Sequence, residues 1–124
     1  MGKEILSLGL APSAIDPNLL PQRDTGALEN RIADAGALLR EAGFEVVPCL
    51  IGTDPEDAEA KVRECLAAHP IKVVMIGGGL RLWPEQTPLF ERLVNLIIQE
   101  VPGVTLCFNT SPETTVDALR RWVS

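Results

Sequence analysis

The chain has 124 residues, 46% of them hydrophobic and 23% charged, with 17 acidic against 11 basic side chains and a net charge of −6. That length fits one domain over 1–124, able to bury roughly two-thirds of the surface its unfolded form exposes, and the composition excludes a disordered or fibrous chain. A field of this sign repels phosphate backbones and anionic lipid, so neither nucleic acid nor a membrane surface is an expected partner.

No segment approaches the roughly 18 consecutive apolar residues of a membrane span. The start is not read as a secretion signal: Lys3 is followed at once by Glu4, and the apolar stretch after it is short. The expected location is the cytoplasm. Cys49, Cys65 and Cys107 make an odd number with no C-x-x-C spacing. They are expected as buried, unpaired thiols of a reducing compartment.

Taken in order, Glu4 to Leu10 reads as a first strand, stopped by Gly9 and Pro12. A loop from Ala11 to Asp24 follows, carrying Pro12, Pro17 and Pro21, which deny it regular structure. It is long for a strand-to-helix connection, so it is expected as a flap or lid over one end of the sheet. Thr25 to Ala42 reads as a helix, capped by Asp24 or Thr25, with Leu28, Ile32, Ala35, Leu38 and Leu39 at helical spacing and Gly43 as its stop. Phe44 to Ile51 is a second strand. Pro48 has no N–H for a ladder, which sends this strand to an edge.

Asp54, Pro55, Glu56 and Asp57 are strong signals for a helix start. That helix runs to His69, just before Pro70. His69 is the only histidine and falls at the end of the sheet expected to be remote from ligands, so a structural role is expected of it. Ile71 to Ile76 is a third strand, read as buried on both faces, and it runs into Gly77, Gly78, Gly79, Leu80 and Arg81. The next helix has Thr87 as cap, Pro88 at its first position and Pro102-Gly103 at its close. Its apolar residues span roughly 200° of arc at 100° per residue, more than a sheet alone covers. The excess predicts a second contact, and a homodimer through 88–101 is the simplest one. Val104 to Asn109 is a fourth strand. A final helix starts with Ser111 as cap and Pro112 at its first position.

Strands alternating with helices give an α/β fold with three layers and a parallel sheet. With right-handed crossovers and Pro48 at an edge, the predicted strand order is 2-1-3-4, flavodoxin-like or Rossmann-like. Ligands in such sheets bind beyond the carboxyl ends of the strands, where the order reverses. Here that switch falls between the first and third strands. The glycine turn offers backbone N–H groups, Arg81 a planar fork of donors, and Asn109, Thr110 and Ser111 a helix start. The expected ligand-binding residues are therefore Gly77, Gly78, Gly79, Arg81, Asn109, Thr110 and Ser111, and the expected ligand is a small anionic metabolite.

Spacing excludes much else. The glycines are G-G-G, not G-x-G-x-x-G, and no phosphate-binding G-x-x-x-x-G-K-[ST] exists. No H-E-x-x-H and no paired Cys or His ligands exist, so neither a metal nor a cofactor is expected. There is no G-x-S-x-G elbow. The positions after the first and third strands that carry acids in receiver domains hold Gly9-Leu10 and Gly77. A flavodoxin's hydroxyl-rich phosphate loop has no clear counterpart in the residues after the first strand, and phosphotransfer IIB domains need a cysteine there.

Three segments, I-G-G-G-L-R at 76–81, F-E-R-L-V-N at 90–95 and C-F-N-T-S-P-E-T-T-V-D-A-L-R-R-W at 107–122, resemble a family of small bacterial α/β proteins. Its members carry an I-G-x-G-x-R turn, an F-E-x-x-x-N helix and an F-N-T-x-P…R-W ending. The resemblance covers the second half of the chain and the first half in outline. It implies the same fold and draws attention to Arg81, Asn95, Asn109, Thr110 and Trp122, but it brings no catalytic assignment. Two other readings stay open at this point. One is a small enzyme closed by the 11–24 loop, with Asp16, Asp24 or Asp54 as acid or base. The other is an interaction module using the helix at 88–101.

Overall fold

The computed structural model describes residues 4–14 and 25–123. Within them β1 (Ile5–Leu10), β2 (Val46–Ile51), β3 (Val73–Ile76) and β4 (Thr105–Phe108) form one parallel sheet in the order β2-β1-β3-β4. The helices are α1 (Thr25–Glu41), α2 (Pro55–Ala68), α3 (Gly78–Arg81), α4 (Thr87–Glu100) and α5 (Thr115–Trp122). This is the α/β architecture and strand order that the alternation of elements predicts. The loop expected as a lid starts as a short 3-10 turn at Pro12–Ala14 with Pro12 buried. Its residues 15–24, with Pro17, Pro21, Asp16 and Asp24, lie outside the described residues.

Alternate side chains of each strand serve opposite faces. Leu6, Leu8 and Leu10 of β1 join Cys49, Val74 and Ile76 in one core, closed by Val62 of α2 and Leu93 and Ile97 of α4. Ile5, Met75 and Cys107 face the other way, onto Leu39 of α1 and Ala118 and Leu119 of α5. Both faces of β1 and β3 are used, which is why these strands read as nearly continuous apolar runs. β2 is an edge strand, as Pro48 requires.

The wide apolar arc of α4 finds its second contact inside the chain. Leu89, Leu93, Leu96 and Ile97 are buried, and α4 packs against α2 as well as the sheet. Arg92 of α4 pairs with Glu59 of α2, and Arg63 of α2 with Glu100 of α4. Ile98 alone of its large apolar side chains stays about half exposed. A homodimer through 88–101 thus loses the reason the arc gave for it.

The caps show where the sequence sets the boundaries and where it does not: Thr87, expected as a cap, is the first residue of α4, and the cap position falls to Gln86, which makes no side-chain cap bond. Asp54 Oδ2 accepts the Asp57 amide at 2.9 Å, with Pro55 at the first helical position of α2. Gly43 closes α1 at φ +88°, and Gly103 turns the chain into β4 at φ +83°; both need the left-handed region that glycine enters freely. The glycines at 77–79 are not of this kind. Gly77 is extended, at φ −71° and ψ 154°, and Gly78 begins α3. The expected glycine turn is a turn of helix, closed by Leu82 N donating to Gly78 O at 2.8 Å.

Candidate functional site

Asn109, the residue just beyond β4, is buried, and its amide joins three segments. Its Oδ1 accepts the Gly78 N–H at 2.8 Å, and its Nδ2 donates to Thr115 Oγ1 at 2.8 Å. Thr115 is buried as well and donates to Pro112 O at 2.8 Å. A buried amide with both ends satisfied fixes the loops it touches. A few residues away Thr114 Oγ1 accepts the amides of Thr110 and Ser111, at 3.0 and 3.2 Å, and donates to Ser111 O at 3.1 Å. Ser111 caps as expected, at the 3-10 turn Pro112–Thr114 that precedes α5: its side chain accepts from the Thr114 backbone while the Thr114 hydroxyl accepts from its own, a reciprocal capping box.

This network holds the glycine turn close to the β4–α5 connection. A Cβ on Gly78 would lie 3.0 Å from Thr110 O, and one on Gly77 3.5 Å from Leu8 O. Gly78 is the one of the three whose place demands close approach of backbone to backbone. Two of their amides are already used: Gly77 N donates to Leu8 O at 2.8 Å and Gly78 N to Asn109. The expectation of a turn rich in free N–H groups is corrected to that extent.

Among the described residues, a cleft of about 800 Å³ lies between α1 and the sheet face formed by β1 and β2. At one end it reaches Gly77, Gly78, Gly79, Asn109, Thr110 and Ser111. These sit beyond the carboxyl ends of β3 and β4, beside the switch point between β1 and β3. The other end is bounded by Arg40, Phe44 and Glu45. Small residues on both walls, Gly9 on β1 and Ala35 and Gly36 on α1, leave the space. Ser7, half-buried in β1, puts a hydroxyl on an otherwise apolar floor with Val46, Leu50 and Met75.

Arg81 departs from expectation. It does not line the cleft. Its guanidinium carbon sits 5.4 Å from the centroid of the Phe108 ring, and Nη2 donates to Asn109 O at 3.2 Å. Its Nε is buried without a partner among the described residues. The helical turn of α3 aims this side chain across the end of β4, so it latches α3 to β4 by hydrogen bonding and cation–π attraction. Asn95 likewise serves its own helix, Nδ2 donating to Glu91 O at 2.9 Å. Trp122 is 62% exposed. His69 caps the end of α2, and Asp54 the start; neither lines the cleft.

The cleft's charge comes from α1. Arg31 spans Glu113 with both arms of its fork, Nε to Oε2 at 2.8 Å and Nη2 to Oε1 at 2.6 Å. That hydrogen bonding pushes Arg31 above its ordinary pKa and holds Glu113 below the usual carboxylate range. Arg40 has no carboxylate partner among the described residues. Among the described residues Glu45 is the one acidic residue of the lining, which holds no Asp, Lys, His or Cys. The cysteines lie elsewhere. Burial, followed by a hydrogen bond with Cys65, pushes the Cys49 thiol up to about 12, and burial pushes Cys107 up to about 11. Both are therefore inert thiols at neutral pH. Among the described residues no group of three His, Cys, Asp or Glu side chains gathers as a metal site.

Ser7, Arg31, Arg40 and Leu50 join the cleft without a motif to mark them. Ser7 alone left a signal, as the single hydroxyl in an apolar strand. No helix among the described residues is long and apolar enough to cross a membrane. No protein-family model matches the chain, and no curated protein matches it significantly.

Proposed function

We propose that this chain is a small-molecule-binding domain that takes an organic anion in the cleft between α1 and the sheet. The observation that carries the reading is the cleft's position and size. It reaches the carboxyl edge of the sheet at the strand-order reversal, where ligands of open α/β sheets bind. Its volume of about 800 Å³ lies within the range of known small-molecule pockets. Among the described residues the lining is mostly apolar, with Glu45 as its one carboxylate and no histidine, lysine or cysteine, which suits holding an apolar body. The unpaired thiols suit a reducing cytoplasm as the setting.

Amide NMR tests the reading directly. Adding a panel of organic carboxylates and phosphates to the labelled chain is expected to shift the amides of Gly9, Gly79 and Thr110 together. Spectra in which no member of the panel moves these amides would refute it.

A further inference from the structure

The walls of the cleft say more about its ligand than its position does. α1 runs antiparallel to the strands, as a right-handed crossover from β1 to β2 demands. Arg31 therefore stands near the carboxyl edge of the sheet and Arg40 near the amino edge, roughly 14 Å apart at about 1.5 Å per residue. Between them the α1 wall is Ile32, Ala35, Gly36 and Leu39, and the opposite floor is Val46, Pro48, Leu50 and Met75. The cleft is thus a long apolar slot, not a polar phosphate cradle.

The two arginines are not equivalent. Arg31 is held bidentately by Glu113, so its charge is compensated. Arg40 is exposed and has no carboxylate partner among the described residues. Its Nη1 lies 3.6 Å from where a Gly36 Cβ would stand, so the guanidinium lies back along α1 over the slot's small-residue wall. Arg40 shares its end of the slot with Glu45 but is within ion-pair distance of no carboxylate among the described residues, and a guanidinium so placed over an apolar slot is complementary to one negative charge on an apolar body.

Resting on the reading above, we infer that the ligand is an elongated apolar monocarboxylate. Its chain lies on Val46, Leu50 and Met75, its carboxylate is held at Arg40, and Ser7 offers a hydroxyl along the floor.

The test uses the whole chain, with decanoate, 1-decanol and inorganic phosphate as probes, followed by thermal unfolding and by the amides of Gly9 and Gly79. Decanoate is expected to raise the unfolding temperature, since a ligand of the native state must stabilise it. Arg40→Gln is expected to weaken decanoate about tenfold, the loss of one charge-assisted contact. Leu50→Glu, at a position already 37% exposed, is expected to abolish the response while leaving the fold intact. Equal responses to decanoate and 1-decanol, or an Arg40→Gln variant with native affinity, would overturn the inference. Phosphate binding at these amides with no response to decanoate overturns it too, but leaves the broader binding reading standing. Silence from all three probes and from the wider panel defeats both. A concentration-dependent dimer that Leu50→Glu dissociates would assign the slot to a second copy and overturn the inference.

Discussion

Gly78 and Gly79 are adjacent in one helical turn, yet alanine should act on them in opposite directions. At both positions φ is outside the left-handed region, so alanine carries no backbone strain. In a helix interior it gains up to about 1 kcal/mol over glycine. At Gly79 the added methyl meets Leu10 Cβ at 3.6 Å and the Trp83 ring at 3.9 Å, both ordinary contacts. Gly79→Ala is therefore expected to be neutral or to stabilise by a few tenths of a kcal/mol. At Gly78 the methyl meets Thr110 O at 3.0 Å and Leu82 Cδ1 at 3.1 Å. Leu82 is about half exposed and can turn away. Thr110 O cannot move cheaply, because Thr114 Oγ1 holds the Thr110 amide and Arg81 holds the carbonyl of the residue before it. Relief must come from moving Gly78 itself, which stretches its 2.8 Å bond to Asn109. Overpacking of this kind costs about 1–3 kcal/mol, so Gly78→Ala should lose about 1–2 kcal/mol net, roughly 4–8 °C in Tm. Urea unfolding of both variants beside the native chain gives the measurement. Equal midpoints for Gly78→Ala and Gly79→Ala would refute the claim that close approach to the β4–α5 connection explains the first of them.

Asn109→Ala leaves the Gly78 N–H without its acceptor and Thr115 without a donor, and should cost about 3 kcal/mol; a loss under about 0.5 kcal/mol in urea unfolding would show that the network does not hold the turn. Glu113→Gln removes the bidentate pair with Arg31, which both partners leave about half exposed, so the expected loss at pH 7 is no more than about 1 kcal/mol. Because Glu113 titrates below its ordinary value when folded, that contribution is present above the unfolded carboxylate pKa and is lost as pH falls through the lower folded value. The gap between native chain and variant should therefore close below about pH 4, and a gap independent of pH down to pH 2 would contradict it. Iodoacetamide at pH 7.5 should modify the half-buried Cys65 alone in the folded chain and all three cysteines in urea, since Cys49 and Cys107 are buried thiols with raised pKa values; two adducts on the native mass would refute the burial argument.

The candidate site was legible in its placement and not in its lining. The run from Ile71 to Gly79 marked the end of a buried strand, and Pro48 marked the edge, so the switch point between β1 and β3 could be located. Asn109, Thr110 and Ser111 could be placed beside it from the cap signals alone. Arg81 could not be aimed. Its direction depends on whether Gly78–Arg81 coils or extends, and that is decided by a hydrogen bond to Asn109, 31 positions further on. Ser7, Leu50 and Arg40 were hidden for a related reason. Each is an ordinary residue in its own element, and only the register of β1 against β2 and the path of α1 across them bring the three to one cleft.

Local patterns along the chain determined the four strands, the long helices between them, the Asp54 cap and the parallel order, because apolar period, proline and glycine act within a few residues of themselves. Tertiary structure decided which glycine amides are spent, which face an arginine serves and what lies against a wide apolar helix. Those outcomes depend on what lies across the sheet: Thr110 against Gly78, Phe108 under Arg81, and α2 beside α4. No spacing within a single element encodes such neighbours.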